Sequence, residues 1–140
     1  MRKNINLRLL VTCLFAVIFC ATLFVSCKQS AKSRLVGKWK INGKATVAKM
    51  DQETKKIFGG EKMAEQLLGD IKVEYKKNGT YVATNNETGT WSVSADDKTL
   101  ITTAKGKKEE KMTIVEVSGE QFVVNNVPNI STPVIYEAYK

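Results

Sequence analysis

Ile71-Lys-Val-Glu-Tyr-Lys-Lys-Asn-Gly-Thr-Tyr-Val-Ala-Thr84 is the stretch that decides the fold. Its first half places apolar side chains at Ile71, Val73 and Tyr75 and polar ones between them, the two-residue period of a half-buried strand. Asn78-Gly79 follows, a strong hairpin signal because both residues tolerate positive φ. Thr80 to Thr84 then returns as a second strand. The sequence downstream repeats this grammar. Asn85 to Thr88 turns, and Gly89-Thr-Trp91-Ser-Val93-Ser94 alternates again. Asp96-Asp97 turns into Thr99 to Thr103. Gly106 sits in the next turn, before Lys111 to Val117. Ser118-Gly119-Glu120 leads into Gln121 to Asn125, and beyond Pro128 and Pro133 the segment Val134 to Tyr139 closes the series. A long opening strand over Val36 to Val47 brings the number to eight.

Eight short strands at regular spacing with tight turns predict an all-β, antiparallel meander. So long a sheet has to deal with its two edges, and closure into a barrel removes both. An eight-stranded barrel has an interior that side chains fill or that holds one small ligand. A two-sheet sandwich is the structural alternative.

Met50 to Gly69 breaks the strand pattern. Asp51 can cap a helix start by accepting backbone N–H bonds. Ala64, Leu67, Leu68 and Ile71 follow helical spacing, so one face is apolar. Gly59-Gly60 divides the stretch into two short helices. An insertion between the first two strands of a barrel lies across an open end. It is either a lid hinged at Gly59 and Gly60 or a plug that completes the core.

Alternation points Trp39, Ile41, Val73, Tyr75, Tyr81, Trp91, Val93, Ile114, Phe122 and Val124 inward. These form a core or line a cavity. Trp39 suits the barrel floor and Trp91 a cavity wall, while Tyr75 and Tyr81 carry hydroxyls that could meet a ligand or the rim water. The candidate ligand contacts are therefore Trp39, Tyr75, Tyr81, Trp91 and Phe122.

The first 26 residues read as an address. Arg2, Lys3 and Arg8 precede an almost unbroken apolar run from Leu9 to Val25, and Ser26 then stands before Cys27. A basic start, an apolar run and a small residue before the cut make a secretory signal peptide. A cysteine directly after such a cut resembles the lipobox of bacterial lipoproteins. Cys20 follows the bulky Phe19, and a cut at Cys13 would leave too short an apolar run, so Cys27 is the candidate lipidation site. The resemblance implies a diacylglyceryl thioether and an N-acyl chain on Cys27. It further implies, with Lys28 rather than an aspartate next in line, the outer membrane of a Gram-negative envelope. An uncleaved N-terminal helix and simple secretion are the alternatives. The expected organisation is a signal peptide over 1–26, a lipidated cysteine and polar tether over 27–34, and a barrel domain over 35–140.

Composition narrows the function. The chain has 22 Lys and Arg against 14 Asp and Glu; three of the cations precede Cys27, which leaves an excess of +5 on the mature chain. Only Arg34 remains there as an arginine, the preferred reader of phosphates and bases, so a nucleic-acid partner is not expected. The run Lys105-Gly-Lys107-Lys108 meets Glu109-Glu110 at once and reads as a solvated hairpin tip. The chain has no histidine and three cysteines, of which Cys13 and Cys20 leave with the signal and Cys27 takes lipid. No disulfide, no His or Cys metal site and no histidine-based catalysis is available to the mature domain, which leaves a carboxylate-only catalyst, a Ser-Lys dyad or an all-oxygen calcium site as the open chemistries. No cofactor is expected.

Gly37-Lys38-Trp39 resembles the Gly-x-Trp that opens the first strand of lipocalins. Tyr75-Lys-Lys-Asn-Gly-Thr-Tyr81, Gly89-Thr-Trp91-Ser-Val93 and Lys98-Thr-Leu100 are similar to repeated features of bacterial lipocalin-like lipoprotein domains. The resemblance spans about residues 35 to 126. It implies a lipocalin-like barrel that binds a small hydrophobic molecule inside. The other reading is a structural or protein-interaction module of the envelope with a filled barrel. Asp96-Asp97 and Glu109-Glu110 do not form a positioned acid–base pair, so an enzyme is not expected.

Overall fold

The computed structural model describes residues 29–140, and its eight strands pair in chain order to close on themselves. They are β1 Gly37–Ile41, β2 Lys72–Tyr75, β3 Thr80–Ala83, β4 Thr88–Val93, β5 Thr99–Ala104, β6 Glu109–Val117, β7 Gln121–Asn125 and β8 Val134–Ala138. Every pairing is antiparallel. The ring is sealed where β1 meets β8, with Trp39 opposite Ala138, Lys40 opposite Glu137 and Ile41 opposite Tyr136. This seam is short, and side chains reinforce it. Lys40 pairs with Glu137 at 3.1 Å, and Asn42 Nδ2 donates to the other carboxylate oxygen at 2.9 Å. Closure leaves no sheet edge to recruit another chain.

The expected hairpin is present, with a four-residue connection from Lys76 to Gly79. Gly79 alone takes the positive φ, at 81°. Asn78 contributes by its side chain: Oδ1 accepts the amide of Thr80 at 3.1 Å and its hydroxyl at 2.7 Å. In β6 the register shifts between Ile114 and Glu116. Val115 is the extra residue, and it is exposed. Such a bulge bends its strand and sets five residues of β6, Thr113 to Val117, against four of β7, Phe122 to Asn125.

Two elements differ from the sequence expectation. The opening strand ends at Ile41 rather than running to Val47. Asn42 ends it, because Oδ1 accepts the amide of Ala45 at 2.9 Å and so caps helix α2, Gly43–Val47. Buried Thr46 and Val47 then belong to a helix. The polar stretch expected as a tether also contains structure. Helix α1, Ala31–Leu35, buries Ala31 and Leu35. Leu35 O accepts Trp39 Nε1 at 2.8 Å, and Arg34 Nη1 donates to Val117 O at 3.1 Å. Part of the stretch expected as a tether thus packs on the barrel.

Met50 to Gly69 is helical as expected, in two pieces. Asp51 caps α3, Gln52–Ile57, by accepting the Thr54 amide at 2.7 Å. Gly59 and Gly60, at φ 84° and 106°, divide α3 from α4, Glu61–Gly69. Their amides donate to Lys56 O and Lys55 O, which closes the end of α3. Helix α4 buries Ala64 and Leu68 and lies against α2. The contact is close: a Cβ on Gly43 would stand 2.1 Å from Glu65 O. The insertion thus supplies Val47, Met50, Ala64 and Leu68 to the core beyond the β1–β2 end of the barrel.

Gly89 holds an equally tight place in the wall. It pairs with Tyr81 on one side and Ala104 on the other. A Cβ there would come within 2.2 Å of Thr103 O and 2.7 Å of Tyr81 Cε1. Backbone cannot yield cheaply to such contacts, so Gly89→Ala is expected to destabilise the domain by about 1–3 kcal/mol. Chemical denaturation of the variant against the parent checks this.

Candidate functional site

The barrel interior is the first place to look for a site, and aromatic rings cross it. Phe122 on β7 is fully buried. It meets Trp39 edge-on with centroids 4.9 Å apart and stacks on Tyr136 at 4.3 Å with 6° between the planes. Tyr75 lies 6.4 Å from Phe122, 5.0 Å from Trp91 and 6.1 Å from Tyr81. Offset and edge-on pairs at these separations are the favourable ones for π systems. The chain of rings runs from β1 through β7 to β8, and through β2 to β3 and β4. Leu100, Met112, Val124 and Val134 fill around it.

All five candidate contacts, Trp39, Tyr75, Tyr81, Trp91 and Phe122, are buried and belong to this one cluster. Ile41, Val73 and Val124 join them in the core, and Val93 and Ile114 pack against it half-buried. Sequence reading missed Tyr136, although Val134-Ile135-Tyr136 carries the same alternation. It also missed Leu100 and Met112.

Polar atoms inside the cluster divide into two sets. Both indole N–H groups are used, Trp39 on Leu35 O and Trp91 on Lys76 O at 3.0 Å. Tyr81 donates to Glu87 Oε1 at 3.3 Å. Among the described residues no protein group bonds the hydroxyl of Tyr75 or Tyr136. Burial pushes the Tyr136 hydroxyl up to about 12. Burial also carries Tyr75 well above the usual phenol range, with Tyr136 and Tyr81 nearby adding to the shift. Tyr81 rises to about 12 through burial first and then the Glu87 carboxylate. All three are neutral phenols at any physiological pH.

Open clefts lie elsewhere. One of 540 Å³ runs over the outer face of β3, β4 and β5. Another of 630 Å³ lies between α3 and the β7–β8 connection, lined by Ile57, Phe58, Val127 and Ile130. Of the six interior aromatic residues, Tyr81 lines the first of these clefts and none lines the second.

The carboxylates with altered acidity all have structural reasons for it. Asp51 is lowered by the Thr54 amide and hydroxyl that it caps. Asp96 is lowered by the Ser94 hydroxyl and the Lys98 amide within its turn. Glu87 is lowered by its bond to Lys107. Gly59 and Gly60 form the turn between α3 and α4, and neither belongs to the ring cluster. Cys27, the candidate lipidation site, lies outside the described residues, as does the stretch expected as a signal peptide.

A family model described as a lipocalin-like domain matches residues 35–124. No curated protein matches the chain. Among solved structures, a DUF4847 family protein from Bacteroides vulgatus ATCC 8482 aligns with a TM-score of 0.42 at 15% identity. That alignment covers 76% of this chain and 94% of the other.

Proposed function

The chain belongs to the lipocalin-like domain family, and from that premise we propose that it is a lipid-anchored, non-catalytic module of the bacterial envelope that works from its outer surface. The ring cluster from Trp39 through Phe122 to Tyr136 and Tyr75 carries this reading. It spans the volume in which a lipocalin-like barrel would hold a guest. A ligand pocket is as a rule largely pre-formed, and here the corresponding volume is occupied by packed side chains. The lipid anchor rests on the N-terminal sequence. Arg2, Lys3 and Arg8, the apolar run and Ser26-Cys27 support acyl chains on Cys27, and the lysine rather than an aspartate at Lys28 supports the outer membrane. The non-catalytic reading rests on residue chemistry. The chain lacks histidine, and its perturbed carboxylates serve a cap, a turn and an ion pair.

A second reading keeps the barrel as a carrier of a small hydrophobic molecule. The hydroxyls of Tyr75 and Tyr136 favour it, because convergent polar groups on an apolar wall are what orient a bound guest. Native mass spectrometry of the full protein, released from detergent, separates the two. The expected result is the mass of the chain with its covalent modifications and nothing more. A discrete additional mass lost on denaturation would identify a carrier and its cargo class.

A further inference from the structure

We propose that the outer wall of β3, β4 and β5 is a binding site for an acidic saccharide, a sugar ring bearing a carboxylate or a phosphate. This rests on the reading above that the protein works from its outside, and it names the chemistry of what is bound there.

The site follows from strand alternation. Tyr81, Gly89, Trp91 and Ala104 face the interior side of the wall, so Thr80 and Val82, Thr88 and Thr90, and Thr103 and Lys105 face outward. Register places Thr80 opposite Thr90, and Thr90 opposite Thr103. Three hydroxyls therefore stand in a row across three strands, about 4.8 Å from one to the next. Thr88 adds a fourth one step along. Lys76 closes the row beyond Thr80, since its amide bonds Thr80 O at 2.9 Å. Lys105, with its amide on Thr88 O at 2.9 Å, marks the other side, and Lys107 follows across Gly106. Together they line the cleft of 540 Å³, which has three lysines and no carboxylate in its lining. The acids beside it are Glu74, which neighbours Val82, Glu109, which neighbours Thr103, and Glu87, which holds Lys107. Lys76 and Lys105 have no carboxylate partner among the described residues.

The chemistry selects the ligand. A hydroxyl both donates and accepts, and so does every hydroxyl of a sugar. A threonine row can therefore pair with several sugar hydroxyls in either sense. An apolar guest would leave the row dry and unsatisfied. A bare inorganic anion would use the lysines and ignore the row. Single-stranded nucleic acid would want aromatic platforms for its bases, and the outward side chains here include none. The volume lies within the roughly 300–1,000 Å³ of small-molecule sites. An acidic sugar uses both kinds of surface: its C–H face on Val82 and the threonine methyls, its ring hydroxyls on Thr80, Thr90 and Thr103, and its anion on Lys76 or Lys105. The site is wet and its cations are exposed, so binding is expected to weaken as salt rises.

The test is an NMR titration of the full protein in detergent micelles with glucose 6-phosphate. Glucose and inorganic phosphate are run separately as controls for the ring alone and the charge alone. Shifts are expected at Thr80, Gly89, Thr90 and Thr103 with glucose 6-phosphate, and much weaker ones with either control. The double variant Lys76→Gln/Lys105→Gln should weaken binding about tenfold. Thr90→Val, which keeps the shape and removes the hydroxyl, should weaken glucose 6-phosphate without changing the response to phosphate. Lys55→Gln/Lys56→Gln on the helical insertion should change nothing. The proposal is overturned if glucose 6-phosphate moves no resonance of this face. It is equally overturned if phosphate alone binds as tightly and Thr90→Val is silent, because that is charge attraction without a sugar site. Thr90 and Lys105 lie at the surface and Lys76 on the exposed hairpin, so an unchanged spectrum elsewhere certifies the fold of the two cleft variants. An extra mass in the native spectrum with this titration positive would overturn the filled barrel but leave the outer site standing. The bare mass of the chain with this titration negative would do the reverse.

Discussion

Phe122→Ala is expected to cost about 3–5 kcal/mol of folding stability, the range for removing a buried aromatic ring. Whole domains are stable by only about 5–15 kcal/mol, so the variant should be close to unfolding at growth temperature. The size follows from position. Phe122 has no exposed surface, stacks on Tyr136 at 4.3 Å and takes the edge of Trp39 at 4.9 Å. Its ring also stands 6.4 Å from Tyr75. Removing it deletes two close aromatic pairs, each worth about 0.5–1.5 kcal/mol beyond area, and leaves a cavity bounded by three rings that β1, β2 and β8 hold in place. Urea denaturation monitored by tryptophan fluorescence measures the loss. The outcome also bears on function. If the interior is a packed core, the cost is large and an added apolar molecule does not stabilise the parent protein. If the interior is a yielding ligand cavity, the cost falls below about 1 kcal/mol, because little packing was there to lose.

The strands were legible because their signals are local. Two-residue alternation at Val73 and Tyr75, or at Trp91 and Val93, needs no knowledge of the partner strand. The turn at Asn78-Gly79 and the cap at Asp51 are likewise set by residues within three positions of each other. Closure was legible by a global argument about edges, although the β1–β8 seam itself is carried by contacts nearly a hundred residues apart. What failed was the end of the first strand. Gly43 to Val47 has the β-branched content of a strand, and only the cap of Asn42 on Ala45 turns it into a helix. That helix gains its stability from packing on α4 through Gly43, a tertiary contact that overrides local preference. The polar stretch ahead of β1 hid a helical turn for a similar reason. Ala31 and Leu35 are four residues apart, but five residues are too few to declare a period.

The interior was legible as a list and not as a volume. Alternation says which side chains point inward. Whether ten inward side chains fill the barrel depends on ring angles and on residues such as Tyr136 and Leu100, which fix the free space by a few ångströms. The outer threonine row was hidden for the opposite reason. Thr80, Thr90 and Thr103 are ordinary solvent-facing residues one at a time, and only strand register makes them neighbours.

Cys27→Ala is expected to abolish lipid incorporation altogether, the largest change any single substitution here should cause. Cells labelled with palmitate should show the parent protein as a labelled band that partitions into detergent, and the variant as an unlabelled chain. The physics leaves little middle ground. One acyl chain holds a protein only marginally, whereas two anchoring signals hold it stably, at about 0.8 kcal/mol for every buried CH₂. A cysteine carrying a diacylglyceryl group and an N-acyl chain is well past that threshold, and a chain with none depends on its signal peptide. The variant should accumulate as the full-length precursor, because the cut that depends on the modified cysteine no longer occurs. Fractionation alone would mislead. The precursor keeps its apolar run from Leu9 to Val25 and can stay with membranes through that run, so the label and the N-terminal mass decide the question. The parent mass should correspond to a chain that begins at a modified Cys27. A parent that retains Met1 without lipid would mean an uncleaved helix. A parent that begins at another residue, unlabelled, would mean ordinary secretion. Cys20→Ala provides the internal control. It sits in the same apolar run behind the bulky Phe19 and should leave label, cleavage and mass shift unchanged.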